Sequence, residues 1–586
     1  MQTVRDLSLI YKHREAALSF TRDTYNTWQL SWEVISKPTP DRCFSTKGNS
    51  KIEKGPANLE KLRASFHMQK PGNRLRSLPN PHCTGPIWLL LLVVGFTETW
   101  SYMSLCYVTT LGNPTKGHLA TDNTAPMIIR HSNPSTMMKC WSTLIGRFIM
   151  LAPIRTVSTE SRRCPLLTVQ PCRGMVDEKF QVVIKNLLPN QEVTLHSLHQ
   201  SEDKDCWEAF GHYISDEHGT VTVAKDESLG GTYEGTEQMG LLWSLRPVPG
   251  SRSAIRLRKT NLLTPMVVNI SVYSGHTSQG FSQTSALATT VTERWYMAPG
   301  VQRVDIRENG VQGTLFLPPG PGPYPGVLDL WGGSAGLIEY RSALLASHGF
   351  ACMALEYTTP AKLKKTDVNN TYFEKAYKIL QNHPLVQKDK MAMLGLCFGS
   401  AITFSMTAYS SVIKPQCCVC ISGSHVVPVD KCIFEVLEDM KRRMGKVPVN
   451  EDNHLIHRDT ILPIPSDPAL KVDAGRIKCP IMLVNGTDDQ NWATVESAQD
   501  IEMIMEKAGN RHLLTVFTYP DAGHLIEPPY TPHFRATNVL LHKKEKVVML
   551  WGGQTKPHAY AQEDSWEKIL AFFQEHLYSS NDKDKL

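Results

Sequence analysis

The sequence predicts an antiparallel β-sandwich of immunoglobulin-like (Ig-like) type over residues 166–297, followed by an α/β domain on a parallel sheet over 301–578. In the first segment, short alternating apolar runs are separated by turn residues; in the second, strand-like and helix-like runs alternate. A third observation marks the chemistry: within the second segment a glycine-flanked cysteine follows a strand and opens a helix.

At roughly 150 residues per domain, a chain of 586 residues has room for three or four. Hydrophobic residues make up 41% and charged residues 20%, which excludes a collagen-like, coiled-coil or wholly disordered chain. Lys and Arg number 62 against 56 Asp and Glu, and a net charge of +6 over so large a surface makes no field for a polyanion. Nucleic acid is therefore not an expected partner. The 14 cysteines are scattered without the regular spacing of a disulfide framework, which points to a reducing, intracellular compartment. Cys417, Cys418 and Cys420 cluster, but no second ligand pair follows, so they read as small apolar residues of a buried strand and not as a metal site.

Residues 1–163 lack persistent periodicity and are expected to hold little stable fold. The apolar run Pro86–Phe96 is too short for the ~20 residues a membrane helix needs, and extending it would bury Glu98, so no stable span is expected, with a signal anchor as the competing reading. Between Met127 and Ser158 no acid occurs, while Arg130, Lys139, Arg147 and Arg155 punctuate apolar and hydroxyl residues. This is transit-peptide composition within 127–163, and it favours a mitochondrial location if synthesis begins at Met137 or Met138. A chance composition in an unstructured extension is the competing reading.

The sandwich prediction rests on runs such as Phe180–Ile184, Glu192–His196 and Met266–Tyr273, with turns at Asn190, Gly230-Gly231 and Ser274-Gly275. No chemistry is evident in it. After Pro299-Gly300, a short β section (Val301–Leu317) precedes the buried-type run beginning at Pro325. Helices are then expected near Tyr340–His348, Tyr372–Gln381 and Val495–Ala508. Strands are expected near Ala351–Leu355, Met391–Leu396, Cys417–Ser422, Ile481–Asn485 and Leu513–Tyr519.

The strand Met391-Ala-Met-Leu runs into Gly395-Leu-Cys-Phe-Gly399 and a helix-like stretch from Ser400. This is the G-x-S-x-G elbow with cysteine in place of serine, in the strand–turn–helix context that gives the motif meaning. Flanking glycines let strand and helix approach, and the helix N-terminus favours a thiolate, so Cys397 is the expected nucleophile. A buried, inert cysteine is the alternative. Chain order adds to the motif: a strand ends in Gly486-Thr-Asp-Asp489, and the next is followed by Tyr519-Pro-Asp-Ala-Gly-His524. Nucleophile, acid, histidine is the order of α/β-hydrolases. Neighbouring Asp488 and Asp489 leave the strand in different directions; G-x-x-D spacing from Gly486 selects Asp489, and His558 stands as the fallback to His524.

A second match, Gly332-Gly-Ser-Ala-Gly336, follows too early a strand to be the elbow. Its position suits the glycine-rich loop of an oxyanion hole, formed by Gly333 and Ser334 together with the Phe398 N–H; Ser334 as nucleophile is the competing assignment. A Cys-His-Asp site performs acyl transfer through a thioester, an intermediate more open to amines relative to water than an oxygen ester.

Several ordered segments between Leu166 and Leu577 resemble the type I acyl-CoA thioesterases and the related bile acid-CoA:amino acid N-acyltransferases. Among them are Ser228-Leu-Gly-Gly-Thr-Tyr, Met239-Gly-Leu-Leu-Trp-Ser-Leu-Arg-Pro247, Glu293-Arg-Trp-Tyr-Met-Ala-Pro-Gly300, Gly523-His-Leu-Ile-Glu-Pro-Pro-Tyr530 and Trp551-Gly-Gly553. The resemblance implies an N-terminal sandwich, a C-terminal α/β-hydrolase domain and fatty acyl-CoA or bile acyl-CoA substrates, with CoA as part of the substrate and no separate cofactor. Cys397 looks like the N-acyltransferase branch, whose nucleophile is cysteine, and this brings in glycine or taurine as acceptors. Asp488-Asp-Gln-Asn-Trp492 looks like the thioesterase form.

Two other readings compete, a dienelactone-hydrolase-like esterase and an acyl-CoA binding protein without catalysis. The terminal Lys583-Asp-Lys-Leu586, within an expected flexible tail at 579–586, matches a peroxisomal Ser-Lys-Leu only in its last two positions. Cytosol and peroxisome therefore stay open as locations.

Overall fold

The computed structural model describes residues 164–333, 336–358, 368–428, 431, 433–444, 447, 449–540 and 546–578, and before them the backbone of four short strands. The chain divides into two units, Met1–Phe148 and Ile149–Leu586. In the first unit, Leu7–Tyr11, Arg14–Arg22, Trp28–Ile35 and Phe66–His67 pair antiparallel in that order. The anchor-like run Pro86–Phe96, the presequence-like segment and the tail at 579–586 lie outside the described residues. Among the described residues no helix is long and apolar enough to cross a membrane.

The second unit begins with two sheets. One has three strands in the order Val221–Thr222, Gln181–Lys185, Leu166–Gln170. The other has six: Arg246–Pro247, Cys206–Ile214, Glu192–Gln200, Met266–Ser274, Ala288–Trp295 and Arg173–Met175. Alternation does the building here: Val182 and Ile184 point inward while Gln181 and Lys185 face water. They meet Val193, Leu195, Val268 and Ile270 of the other sheet in one buried cluster, and full burial of such side chains stabilises by about 1.5–3 kcal/mol each. The same cluster takes in Leu525, Phe534 and Trp551, so the packing of these sheets reaches chain that also carries the candidate site.

The remainder folds around an eight-stranded sheet: β1 (Gln302–Glu308), β2 (Val311–Leu317), β3 (Tyr324–Leu330), β4 (Ala351–Glu356), β5 (Val386–Leu396), β6 (Cys417–Ile421), β7 (Ile481–Gly486) and β8 (Leu514–Tyr519). Their order is β1-β2-β4-β3-β5-β6-β7-β8. β1 and β2 pair antiparallel, β2 pairs antiparallel with β4, and from β4 through β8 the pairing is parallel. β4, β6 and β7 are buried along their whole length, as strands covered on both faces must be. The helices are α1 (Tyr340–Ser347), α2 (Asn370–Gln381), α3 (Phe398–Tyr409), α4 (Ile433–Met444), α5 (Thr494–Lys507) and α6 (Thr555–Leu577). Order, parallel core and helical cover are those of the α/β-hydrolase fold. Cys417, Cys418 and Cys420 are buried on β6. Among the described residues no group of three or more His, Cys, Asp or Glu is arranged to hold a metal ion.

Candidate active site

Cys397 stands between β5 and α3 with φ 58° and ψ −121°, a left-handed conformation that L-residues adopt at a cost of about 1–3 kcal/mol. The turn is held from several sides. The Cys397 N–H donates to Ile421 O at 2.9 Å. A Cβ on Gly399 would come within 2.2 Å of Leu330 O, so only glycine lets α3 approach β3 here. Phe398 is the first residue of α3, so helix geometry gives its N–H no intrahelical acceptor.

The β3 end brings the glycine loop to the thiol: a Cβ on Gly332 would lie 3.5 Å from Cys397 Sγ, and one on Gly333 3.5 Å from Phe398 Cβ. Both glycines line the cavity that holds Cys397. Ser334 lies outside the described residues. Behind the loop, Arg341 Nε donates to Asp329 Oδ1 at 3.0 Å, its guanidinium lies 4.6 Å over the Trp331 ring, and the Tyr357 hydroxyl donates to Trp331 O.

Asp489 and His524 are both fully buried, and His524 Nδ1 is 2.8 Å from Asp489 Oδ2. The other carboxylate oxygen accepts the N–H groups of Asn491 and Trp492, each at 2.8 Å. Asp489 is thus satisfied and oriented by its own loop. Asp488 points elsewhere, accepting from Gly553 N–H at 2.8 Å and Arg535 at 3.0 Å. His558 is also occupied: its Nδ1 accepts from Gly523 N–H at 3.1 Å and its Nε2 bonds Leu525 O at 2.8 Å, bracing the loop that carries His524.

The Nε2 of His524 has no hydrogen-bond partner among the described residues, and the ring lines one cavity with Cys397. Burial works to push the imidazolium down, but the charges of Asp489 and Cys397 overcome it and raise it to about 10. The ring stacks on Trp551 at 5.5 Å between centroids. A thiol on an elbow, beside a histidine whose other nitrogen is held by a buried carboxylate, is an arrangement chemically able to carry out covalent acyl transfer.

The chain matches two family models, described as the acyl-CoA thioester hydrolase/BAAT N-terminal region, over residues 177–308, and the BAAT/acyl-CoA thioester hydrolase C terminal, over residues 368–579. It is 36% identical to the peroxisomal succinyl-coenzyme A thioesterase of Mus musculus over 71% of this chain and 98% of that one. The chain belongs to the acyl-CoA thioester hydrolase/BAAT family. Other relatives in it are acyl-coenzyme A thioesterase 3 of Mus musculus (34% identical; 72% and 96% covered) and the mitochondrial acyl-coenzyme A thioesterase 2 of Homo sapiens (33%; 72% and 86%). Among solved structures, a dienelactone hydrolase-like promiscuous phosphotriesterase from metagenomic libraries aligns with TM-score 0.30 at 19% identity, covering 47% of this chain and 98% of that one.

Three features of this family member escape the sequence reading. Asn491, inside the motif already singled out, brings Oδ1 to 4.0 Å from Cys397 Sγ. Trp551, at the head of the quoted Trp-Gly-Gly, is the stacking partner of His524. The third corrects an expectation: the 166–297 segment, in which no chemistry was evident, sends Arg252, Arg256 and Arg258 into the wall of the Cys397 cavity. Their signal, three arginines within the seven residues Arg252-Ser-Ala-Ile-Arg-Leu-Arg258, was legible but had no site to attach to.

Proposed function

We propose that this chain hydrolyses acyl-CoA thioesters through an acyl-Cys397 intermediate. The observation that carries the reading is the Nε2 of His524, buried without a hydrogen-bond partner among the described residues, on a ring that lines one cavity with Cys397 while its Nδ1 is held by Asp489. The Cys397 thiolate attacks the thioester carbonyl, and the bond to the CoA sulfur breaks as His524 delivers its Nε2 proton there. Water then enters, gives a proton to Nε2 and displaces the Cys397 sulfur, releasing the free acid. The carbonyl oxygen, negative in each tetrahedral state, is received by the N–H groups of Phe398 and the Gly333-Ser334 loop, a type of contact worth ~3–4 kcal/mol in the transition state. CoA is part of the substrate, and no step calls for a separate cofactor.

A second outcome rests on the cysteine itself. A thioester intermediate yields readily to amines, so glycine or taurine in place of water would give the N-acyl amino acid. Incubating the purified protein with octanoyl-CoA, with and without either amino acid, tests both. Free CoA with octanoate supports hydrolysis, an amide product supports transfer, and no CoA release from any acyl-CoA overturns the reading. Cys397→Ser is expected to shift the product ratio toward the free acid; an unchanged ratio with taurine present counts against the thiol's role.

In this reading 166–297 is an Ig-like sandwich that walls the substrate cavity, 301–578 is the catalytic domain, 1–163 is an extension and 579–586 a tail. The acid-free composition of 127–158 favours a mitochondrial destination. Fractionation of cells producing the full chain would show it; recovery in cytosol or peroxisomes would contradict it.

A further inference from the structure

Two lobes meet at the thiol. One is lined by Leu437, Met440, Met444, Trp492, Leu540 and Met549, with Asn491 beside Cys397. Among the described residues no charged side chain lines it. The other lobe shares Gly333, Cys397, Val539, Leu540 and Trp551 with the first, and is walled by Arg252, Arg256, Arg258 and Lys546.

The charges of the second lobe are only partly neutralised. Arg252 is tied to Asp205, Arg256 to Glu527, and the lining Glu202 to Lys259. Arg258 and Lys546 have no acidic partner among the described residues, against one lining acid without an ion pair, Asp203. The Nε atoms of Arg256 and Arg258 are buried with no acceptor among the described residues. Burial first, then the Arg258 charge, push the Arg256 guanidinium below its ordinary range. An anion brought here would relieve both effects.

We propose that Cys397 stands where the substrate divides, with an unsubstituted aliphatic acyl chain in the methionine-lined lobe and the phosphates of CoA in the Arg258 lobe. The proposal rests on the thioesterase reading and narrows its substrate class. Methionine has no branch point and a polarisable sulfur, so three of them adapt to straight chains of different length. What the lobe lacks is equally selective. Among the described residues that line it, a ring hydroxyl or terminal carboxylate would find few free donors, chiefly Asn491 and the Trp492 indole N–H, since the Trp551 N–H is given to Thr537, and it would find no cation; an unmet polar group is costly to bury, more so when charged. Hydroxylated steroid acyl groups and dicarboxylic acyl groups are therefore disfavoured.

The test is steady-state kinetics of the full chain with octanoyl-, acetyl-, succinyl- and choloyl-CoA, and with the N-acetylcysteamine thioester of octanoate, which has no phosphate. Octanoyl-CoA is expected to exceed succinyl- and choloyl-CoA at least tenfold in kcat/KM. Met440→Trp should lower the octanoyl-to-acetyl ratio at least tenfold, and Met440→Ala, which opens the lobe, should not lower it. Arg258→Gln should raise KM for octanoyl-CoA at least fivefold more than it raises that for the phosphate-free thioester. A preference for succinyl- or choloyl-CoA, or a chain-length ratio that Met440→Trp leaves unmoved, overturns the acyl lobe; equal KM changes overturn the phosphate lobe. If no acyl-CoA is cleaved by the unmodified chain, the thioesterase reading itself fails, and the lobe assignment with it.

Discussion

At His524 burial and charge oppose each other, and charge wins: the imidazolium is held to about 10 against an ordinary value of 6.5. A cation whose folded value is raised stabilises the fold fully below about 6.5 and loses that contribution as pH rises through about 10. The urea midpoint of the unmodified protein should therefore fall more between pH 7 and 10.5 than that of His524→Gln; parallel falls would contradict the ion pair. Asp489→Asn removes the main charge that holds the proton and offers Nδ1 a donor in place of an acceptor. Its kcat should drop by about 10⁴, the loss seen when a triad carboxylate is neutralised, and the titration of His524, followed by NMR, should move down. Cys397→Ala should reduce CoA release to background with the thermal midpoint nearly maintained, because alanine keeps the Cβ packing and the thiol's hydrogen bond to Asn491, at 4.0 Å, is weak.

At the scale of elements, the elbow is a fit between β3, β5 and α3 that leaves no room for side chains. Gly332→Ala would place a Cβ 3.3 Å from that of Cys397 and crowd the thiol on the side of the proposed oxyanion hole. About a hundredfold loss in kcat is expected, with little change in urea stability; loss of both together would mean the loop serves the fold and not the reaction. The core strands were legible because nothing polar interrupts them, as in Cys417–Ile421 and Ile481–Gly486. The elbow and the two loops after β7 and β8 were legible from glycine spacing. What escaped did so for physical reasons. Strand Cys206–Ile214 carries Glu208, which reads as solvent-facing but is buried beside His196 and Arg246. Strand Ala288–Trp295 hides Arg294, whose guanidinium donates to Pro171 O at 2.6 Å. Helix α6 contains Pro557, which a sequence reader takes as a break; in the first turn, where no intrahelical N–H bond is lost, it is tolerated. Asn491 and Trp551 meet the triad only through tertiary packing, which no spacing reports.

Over the whole molecule, the β-rich segment and the α/β-hydrolase domain are not independent. Leu525, Phe534 and Trp551, from the chain around and beyond His524, sit in the same buried cluster as Val182, Leu195 and Ile270. The three arginines that wall the cavity come from the β-rich segment as well. A fragment of 164–586 is expected to keep the kcat and thermal midpoint of the full chain, whereas 301–586 should be insoluble or inactive, since it exposes one side of that cluster. An active 301–586 would contradict the coupling. The central claim is the acyl-Cys397 intermediate, and acid-quenched octanoyl-CoA turnover followed by peptide mass spectrometry tests it most directly. An octanoyl adduct confined to the peptide bearing Cys397, and absent in Cys397→Ala, is the predicted result. Sustained CoA release with no adduct, undiminished in Cys397→Ala, would contradict it.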